Sequence, residues 1–489
     1  RQRQMCIRDS LMTTSKTTKM TNYRWVICSL LFFATTINYL DRQVLSLTWE
    51  EFIRPEFHWT NSHYGLVTGI FSLVYAIAML FAGRVVDRLD TKKGYFWSIG
   101  IWSVGACLHA ICGVATEWVV DLPDAAAMRA VVDNAELISR IAVVSLTLFI
   151  LARCVLAIGE AGNFPAANKA TAEYFPKKDR AYATSIFNAG STVGALAAPF
   201  LIPTLAARYG WEASFIIIGA LGFVWMGFWQ FLYKKPDRNP AVNAAELEYI
   251  NSDSEPEKPA SESSRGPKVS LWRCFGYRQT WAFISGKAIA DGVWWFYLFW
   301  MPSYLKNACG MSSTSIEFQV ALGVLYLIVM ISLLGGYLPT IFIERYGMNP
   351  YAGRMRAMLI FAFFPLLALL AQPLSGYSYW FPVIFVGIAC AAHQSWSANI
   401  FSTVGDMFPK SMIATITGIG GMAGGVGSFL IQTGAGRLFD HAANTNMSFM
   451  GYHGIEAGYM IAFSFCAVAY LASWLAMKAF VPKYRPIVL

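Results

Sequence analysis

Glu173-Tyr174-Phe175-Pro176-Lys177 and Asp406-Met407-Phe408-Pro409-Lys410 stand 233 residues apart and read as two copies of one turn. The match continues without a gap. Ala181 and Thr184 fall on Ala414 and Thr417, and Val193-Gly194 falls on Val426-Gly427. Asp87-Arg88 is echoed by Glu344-Arg345 at an offset of 257, and a longer connection over 116–140 in the first half supplies the difference. Two matches at equivalent places describe a chain made of two parallel repeats.

On either side of each turn lies a long apolar run. A helix that crosses a bilayer needs about 20 such residues. Runs of that length occupy 24–46, 64–86, 94–115, 141–164, 182–207 and 212–233, then 279–303, 316–341, 356–373, 379–403, 412–433 and 456–478. They are continuously apolar, whereas barrel strands alternate over about ten residues. The expectation is an all-α membrane protein of twelve transmembrane helices. These form two pseudo-symmetric six-helix bundles, 24–233 and 279–478, flanked by tails 1–23 and 479–489. The stretch 234–278 joins the bundles; its Lys234-Lys235-Pro236-Asp237-Arg238-Asn239-Pro240 and the Ser/Glu/Pro-rich 251–268 read as a linker with no packed core. Parallel halves with a substrate site between them are a recurrent transporter plan.

Composition agrees. Hydrophobic residues make up 56% of the chain and charged residues only 14%, against roughly 25% charged in soluble proteins. That excludes an ordinary cytosolic enzyme, a nucleic-acid-binding module and a disordered scaffold. The net charge of +9 follows from topology: on the face opposite the termini the basic residues are Arg54, Arg129, Arg140, Arg208, Lys306 and Arg437, while most of the 38 Lys+Arg lie on the terminal face. By the positive-inside rule both termini are cytoplasmic, so no nucleic-acid partner is implied. The nine cysteines are scattered without a C-x-x-C pair, which argues against a disulfide framework or a metal site. Residues 1–11 do not open on Met and read as a scar, with Met12 or Met20 as the natural start. No cleavable signal is evident.

Charges inside the spans are few and therefore informative, since each costs about 2.5–3.5 kcal/mol on insertion scales. Span one carries Asn38-Tyr39-Leu40-Asp41-Arg42; span four carries Arg153 and Glu160, seven apart on one helical face. Span seven carries Lys287 and Asp291 at i and i+4, spaced to pair directly. His109 and His393 lie in spans three and ten, and the 233 shift lays Glu160 on His393. Arg42 and Arg153 are suited to grip a planar carboxylate, and Asp41 and Glu160 can take up protons. Alternatives stand beside each reading. Arg153–Glu160 and Lys287–Asp291 are either working groups or structural salt bridges, Asp41-Arg42 lies either mid-membrane or at the outer headgroups, and His393 is either functional or a satisfied interior histidine.

Aromatics gather near the same level. Trp294, Trp295, Phe296 and Tyr297 follow Asp291, and His393-Gln394-Ser395-Trp396-Ser397-Ala398-Asn399 lies in span ten. Such rings stack on the C–H faces of sugars while Gln, Ser and Asn bond hydroxyls; tryptophans also anchor helices at interfaces, the better reading for Trp300. Gly418 to Gly427 in span eleven point to close helix packing.

After span two the chain reads Gly83-Arg84-Val85-Val86-Asp87-Arg88-Leu89-Asp90-Thr91-Lys92-Lys93, which resembles the G-x-x-x-D-R-x-G-x-[RK] signature of the major facilitator superfamily, with Asp90 in place of the second Gly. Asp87 with Arg88, Lys92 and Lys93 beside it is placed to pair helix ends, and Gly83, Asp87, Arg88 and Lys92 are taken as the gating motif. Asn38-Tyr39-Leu40-Asp41-Arg42, Arg153-x6-Glu160-Ala161-x2-Phe164-Pro165 and the Phe-Pro loop at Phe175 together resemble the anion:cation symporter family within that superfamily, over residues 24 to 480. Lys287-x3-Asp291-x2-Trp294-Trp295-Phe296-Tyr297 is especially similar to bacterial hexuronate transporters, which usually have Pro where Gly292 stands here.

The resemblance implies that Arg42 binds a substrate carboxylate with Tyr39 and Tyr75 beside it. Asp41 and Glu160 would carry coupling protons, Arg153 would balance Glu160, and Ser395, Trp396 and Asn399 would meet sugar hydroxyls. Such relatives carry a Gln near the position of Ser191. The expected function is proton symport of a sugar acid, a hexuronate before an aldonate, aldarate or other organic anion, by alternating access across the inner membrane. Na⁺ in place of H⁺ stays open. No cofactor and no obligatory protein partner are implied, and the expected state is a monomer. A catalytic constellation for an intramembrane enzyme is missing from the spans, and 234–278 is too short and polar to be the folded domain of a sensor.

Overall fold

The computed structural model describes residues 20–252, 271–335 and 337–487. These are helical apart from connecting turns and a two-residue hairpin, Ser448–Phe449 against Tyr452–His453. α1 (Arg24–Thr48) passes through a π-helical turn (Trp49–Ile53) into α2 (Arg54–Phe57). Then follow α3 (Asn61–Val120), α4 (Ala125–Ala130), α5 (Ala135–Glu160), α6 (Asn163–Tyr174), α7 (Lys177–Tyr209) and α8 (Trp211–Leu232). Short α9 (Ala244–Ile250) and α10 (Leu271–Cys274) precede α11 (Arg278–Asn307), α12 (Ile316–Val329), α13 (Ser332–Gly335) and α14 (Leu338–Tyr346). The chain ends with α15 (Pro350–Phe363), α16 (Ala371–Ser375), α17 (Trp380–Met407), α18 (Lys410–Thr445) and α19 (Gly454–Phe480).

By length and composition six stretches among the described residues can cross a membrane: Asn61–Val120, Ala135–Tyr174, Lys178–Tyr209, Trp211–Leu232, Pro350–Ser375 and Gly454–Phe480. The predicted runs fall on helix, with four departures; one is that 141–164 crosses the break at 161–162 between α5 and α6. The second and third runs are one helix, α3, bent at Asp90, whose backbone is left-handed (φ 68°). The run 316–341 is cut into α12, α13 and α14. In 356–373 the chain tightens to a 3₁₀ stretch, Phe364–Leu370, where Pro365 has no N–H to offer the Phe361 carbonyl.

The repeated Phe-Pro turn has one structure in both halves. Phe175 and Phe408 are extended, and Pro176 and Pro409 (ψ 155° and 150°) are the N-caps of α7 and α18. A residue before proline is driven out of the helical region, so each Phe ends one helix and each Pro starts the next.

The linker departs from expectation. Pro236–Arg238 forms a 3₁₀ turn, and Asn243 caps α9 by accepting from the Glu246 amide. The buried Glu246 carboxylate accepts from Thr21 Oγ1 (2.5 Å), the amides of Tyr23 (2.8 Å) and Arg24 (3.0 Å), and Arg24 Nη1 (3.2 Å). Tyr23 gives α1 no side-chain cap, so Glu246 satisfies helix N–H groups that would otherwise be unpaired. Most of the Ser/Glu/Pro-rich run 251–268, the tail up to residue 19 and residues 488–489 lie outside the described residues. The connection 116–140 is mostly exposed but is anchored at one point. Met128 on α4 is buried, its carbonyl contacts His58 Nε2 (2.9 Å), and Arg129 pairs with the buried Glu56.

α3 packs on α5 and α8, α1 on α7, α11 on α18 and α19, and α12 on α17. Across the molecule α3 meets α18, α7 meets α12 and α1 meets α11. The α3–α18 seam is close because glycines line both sides. A Cβ on Gly65 would lie 2.4 Å from the Gln432 carbonyl oxygen, and one on Gly436 would lie 2.4 Å from that of Asn61.

Candidate functional site

Asp41 and Arg42 lie deep in the helix packing, 1% and 2% exposed. Arg42 donates from Nε (2.9 Å) and Nη2 (2.5 Å) to Oε2 of Glu160 on α5. Its guanidinium is ringed by aromatic faces: Tyr39 at 5.1 Å, Phe71 at 5.8 Å, Tyr75 at 4.9 Å and Trp295 at 4.8 Å. Three helices, α1, α3 and α11, thus bring aromatic rings to one cation. Such contacts strengthen when water is excluded.

The expected balance of Glu160 by Arg153 does not take the form of a direct hydrogen-bonded pair. Seven residues along a helix is about 10.5 Å of rise, too far for the pair to close within α5. Arg153 is buried, its guanidinium 5.2 Å from the Phe71 ring, and hydrogen-bonds nothing among the described residues. Asp41 likewise accepts no hydrogen bond. Arg42 and Arg153 flank Phe71 while Glu160 is bonded to one of them, so the site holds two cations and two carboxylates but only one closed pair.

Beside this cluster a small cavity is lined by Tyr39, Ser191, Thr192, Ala195, Trp294, Tyr326, Val329 and Gln394. Tyr326 OH donates to Gln43 Oε1 (3.0 Å), tying α12 to α1. Trp294 stacks on His393 (centroids 5.1 Å, 11°), and His393 Nδ1 is 2.8 Å from Tyr470 OH. Tyr39, Tyr75, Trp294, Trp295, His393 and Gln394 therefore share one neighbourhood with Arg42. Ser395, Trp396 and Asn399 do not. Ser395 turns to a separate apolar cavity of about 250 Å³ with Ser332, Gly335, Phe361 and Phe364. Trp396 packs on Tyr470 (5.6 Å), and Asn399 Nδ2 donates to the Ser395 carbonyl (2.8 Å). One residue along α17 turns the side chain by about 100°, which separates Ser395 from Gln394. Phe71, Thr192 and Tyr326 were missed in the sequence because an aromatic or small polar residue in an apolar run looks like ordinary packing.

Lys287 and Asp291 form the predicted pair, Nζ to Oδ1 2.8 Å and to Oδ2 2.6 Å. Gly292 is where α18 approaches, its Cβ position 3.1 Å from the Gly427 carbonyl oxygen. In the expected gating motif Asp87 pairs with Lys169 on α6 (3.0 Å), not with its sequence neighbours, and Lys92 Nζ donates to the Gln230 carbonyl (2.7 Å). Arg88 is exposed, and Gly83 has open space where a Cβ would stand.

The hydrogen bonds that the described residues make between α1–α8 and α11–α19 lie level with Arg42 or on the side away from the termini. Trp49 Nε1 donates to Ser303 Oγ (2.8 Å), Tyr64 OH to the Phe299 carbonyl (2.8 Å), and Ser428 Oγ to Ser72 Oγ (2.9 Å). Trp49 stacks on Tyr64 (4.2 Å, 6°), and Trp300 meets both rings edge-on. Trp300 is thus part of a buried plug rather than an interfacial anchor. Further out, Asp440 accepts from the amides of Asn61 (2.9 Å) and Ser62 (2.7 Å) at the start of α3. Glu51 accepts from Ser312 Oγ (2.8 Å) and from the Ser313 amide (2.7 Å) and hydroxyl (2.6 Å).

A model of the Major Facilitator Superfamily matches residues 31–431. The hexuronate transporter of Escherichia coli (strain K12) is 26% identical over 426 residues, 86% of this chain and 89% of that one. The galacturonate transporter of Dickeya chrysanthemi is 27% identical over 336 residues, 69% and 87% of the two chains. Among solved structures, a bacterial homologue of the human lysosomal transporter Spinster, inward-facing and unoccupied, superposes with a TM-score of 0.69 at 19% identity, covering 96% of this chain and all of that one. Charges buried among apolar helices, a repeated helix-turn and a family match over most of the length converge on one assignment: the chain is a multi-pass membrane transporter, not an enzyme, and belongs to the Major Facilitator Superfamily.

Proposed function

We propose that this protein imports a monocarboxylate sugar acid, a hexuronate such as galacturonate or glucuronate, together with protons. The reading takes the chain as twelve spans in two six-helix halves, with both termini in the cytoplasm, working as a monomer in the inner membrane. The observation that carries it is the buried Arg42–Glu160 pair inside a ring of Tyr39, Tyr75 and Trp295. Arg42 offers a carboxylate two parallel hydrogen bonds, and Glu160 already occupies that fork. A proton on Glu160 weakens its hold and frees the fork for the substrate; deprotonation toward the cytoplasm returns Glu160 to Arg42 and ejects the anion. Asp41 is the second proton acceptor, with Arg153 setting the local field. The aromatic ring and Trp294 stack on the sugar, and Gln394, Ser191, Thr192 and Tyr326 bond its hydroxyls. The closed plug at Trp49, Tyr64 and Trp300 supports reading this geometry as inward-facing.

Two relatives named for hexuronate and galacturonate transport support the substrate class. The test is uptake of labelled galacturonate and glucuronate into proteoliposomes, with an inward gradient of H⁺, of Na⁺, or of neither. Accumulation driven by H⁺ is expected, lost in Arg42→Ala. Glu160→Gln should abolish gradient-driven accumulation while leaving galacturonate exchange measurable. Failure of a folded protein to move either hexuronate would overturn the substrate reading and direct the assay to aldonates and aldarates.

A further inference from the structure

Lys287 is buried in the half of the molecule that does not contain Arg42 (4% exposed), and no step above uses it. Its ammonium touches both oxygens of Asp291 (2.8 and 2.6 Å) and lies 4.3 Å from the Phe401 ring. The Asp291 side chain is the more accessible partner of the two, 17% against 5% exposed. Gly424 of α18 makes room for it: a Cβ there would lie 2.3 Å from Oδ2.

Position gives the pair meaning. Lys287, Asp291 and Trp295 stand four residues apart, on one stripe of α11 at intervals of about 6 Å. Trp295 holds the Arg42 guanidinium. An anion that leaves Arg42 toward the terminal face therefore meets Asp291 and Lys287 next along the same stripe. The pairing also repeats the chemistry of the main site, where Glu160 covers Arg42. A buried ion pair gives little stability compared with apolar residues of equal volume, so packing alone does not account for it.

We propose that Lys287 is a second carboxylate-binding station on the path between Arg42 and the terminal face, with Asp291 as the internal carboxylate that the passing anion displaces. The ligand class is a small organic carboxylate. Lysine's three donors on a flexible stem suit a transient hold more than the fixed fork of an arginine. Identification of that anion as the transported hexuronate rests on the reading above, but the station itself does not.

The test compares Asp291→Asn, which uncovers the amine, with the double variant Lys287→Gln/Asp291→Asn, which keeps the site neutral and guards against an unpaired buried charge. Heat protection of the purified protein is titrated with galacturonate, gluconate and acetate, each variant also in an Arg42→Ala background. Asp291→Asn is expected to be protected at concentrations at least five-fold lower than the parent. That gain should persist without Arg42 and vanish in the double variant. In proteoliposomes the double variant should raise the KM for release from the terminal face about ten-fold and leave the KM at the opposite face unchanged. A gain with acetate or gluconate alone upholds the station and counts against the hexuronate reading. No gain with any of the three, or a gain that survives loss of Lys287, overturns it.

Discussion

Arg42 and Arg153 are both buried arginines of the first half, yet they stand in different chemistry. Arg42 has a hydrogen-bonded carboxylate and four aromatic neighbours; Arg153 has the face of Phe71 and no hydrogen bond among the described residues. Lysine cannot reproduce the planar fork or the stacking, so Arg42→Lys should lower galacturonate uptake at least ten-fold with little change in melting temperature. Arg153→Leu should leave the melting temperature unchanged or higher, because it removes a buried charge that makes no hydrogen bond among the described residues, while gradient-driven accumulation falls. If Arg153 were the structural partner of a carboxylate, its loss would instead destabilise by about 3–5 kcal/mol. The residues of the cluster were legible in the sequence because charges are rare in apolar runs. Their pairing was not: Glu160 chose an arginine 118 positions away over one on its own helix, and only the packing of α1 on its neighbours decides that. Ser395 was misplaced for a related reason, since a segment rich in Ser, Trp and Asn names a helix but not which of its faces looks inward.

At the scale of elements, the Phe-Pro turn is where sequence and structure agree most closely, because proline constrains the backbone by sterics alone. The linker is where they part. Ala244–Ile250 is only seven residues long, too short to announce a helix, and its role depends on a carboxylate meeting a helix start 222 residues away. Glu246→Ala should destabilise the protein by about 1–3 kcal/mol, read as a lower melting temperature, from a lost cap and a stranded Arg24. Burial alone would push the Glu246 carboxyl up, but the hydrogen bonds from Arg24, Thr21 and Tyr23 outweigh it and hold it below the usual range. A depressed folded value means this contribution is present above about pH 4.3, the unfolded value, and is lost as pH falls through the folded one. The difference in melting temperature between the parent and Glu246→Ala should therefore be constant near neutrality and shrink in acid. Asp90 is a second such element. The family signature has glycine there, and the left-handed φ of 68° is the reason. With ψ 155° the residue lies outside the left-handed helical well, in a region kept almost wholly to glycine, and Asp90 Oδ1 accepts from the Thr91 amide (2.9 Å). Asp90→Ala should cost about 1 kcal/mol in a thermal melt relative to Asp90→Gly.

For the whole molecule, the apolar runs made the all-helical fold readable, whereas the state of the passage was not. Closure on one side comes from contacts between residues hundreds of positions apart, such as Asn61 with Asp440 and Trp49 with Ser303. It also depends on the tight α3–α18 seam. Gly65→Val would drive a side chain into the Gln432 carbonyl and should hold the far side apart. Thiol-reagent labelling of a cysteine placed at Ser303 should then rise several-fold, with uptake lost and the protein still folded.

The Asp440 and Glu51 contacts carry a kinetic corollary. Each carboxylate satisfies backbone amides of the opposite half, and in the proposed transport cycle both sets of bonds must part before an empty carrier can present Arg42 to the outside again. Substrate on the inner side gives that return stroke something to carry back, with Arg42 and Glu160 already separated. Radiolabel swapped one-for-one against internal galacturonate should consequently move faster than net filling of empty vesicles, and Asp440→Ala should narrow the gap by speeding the unladen half of the cycle.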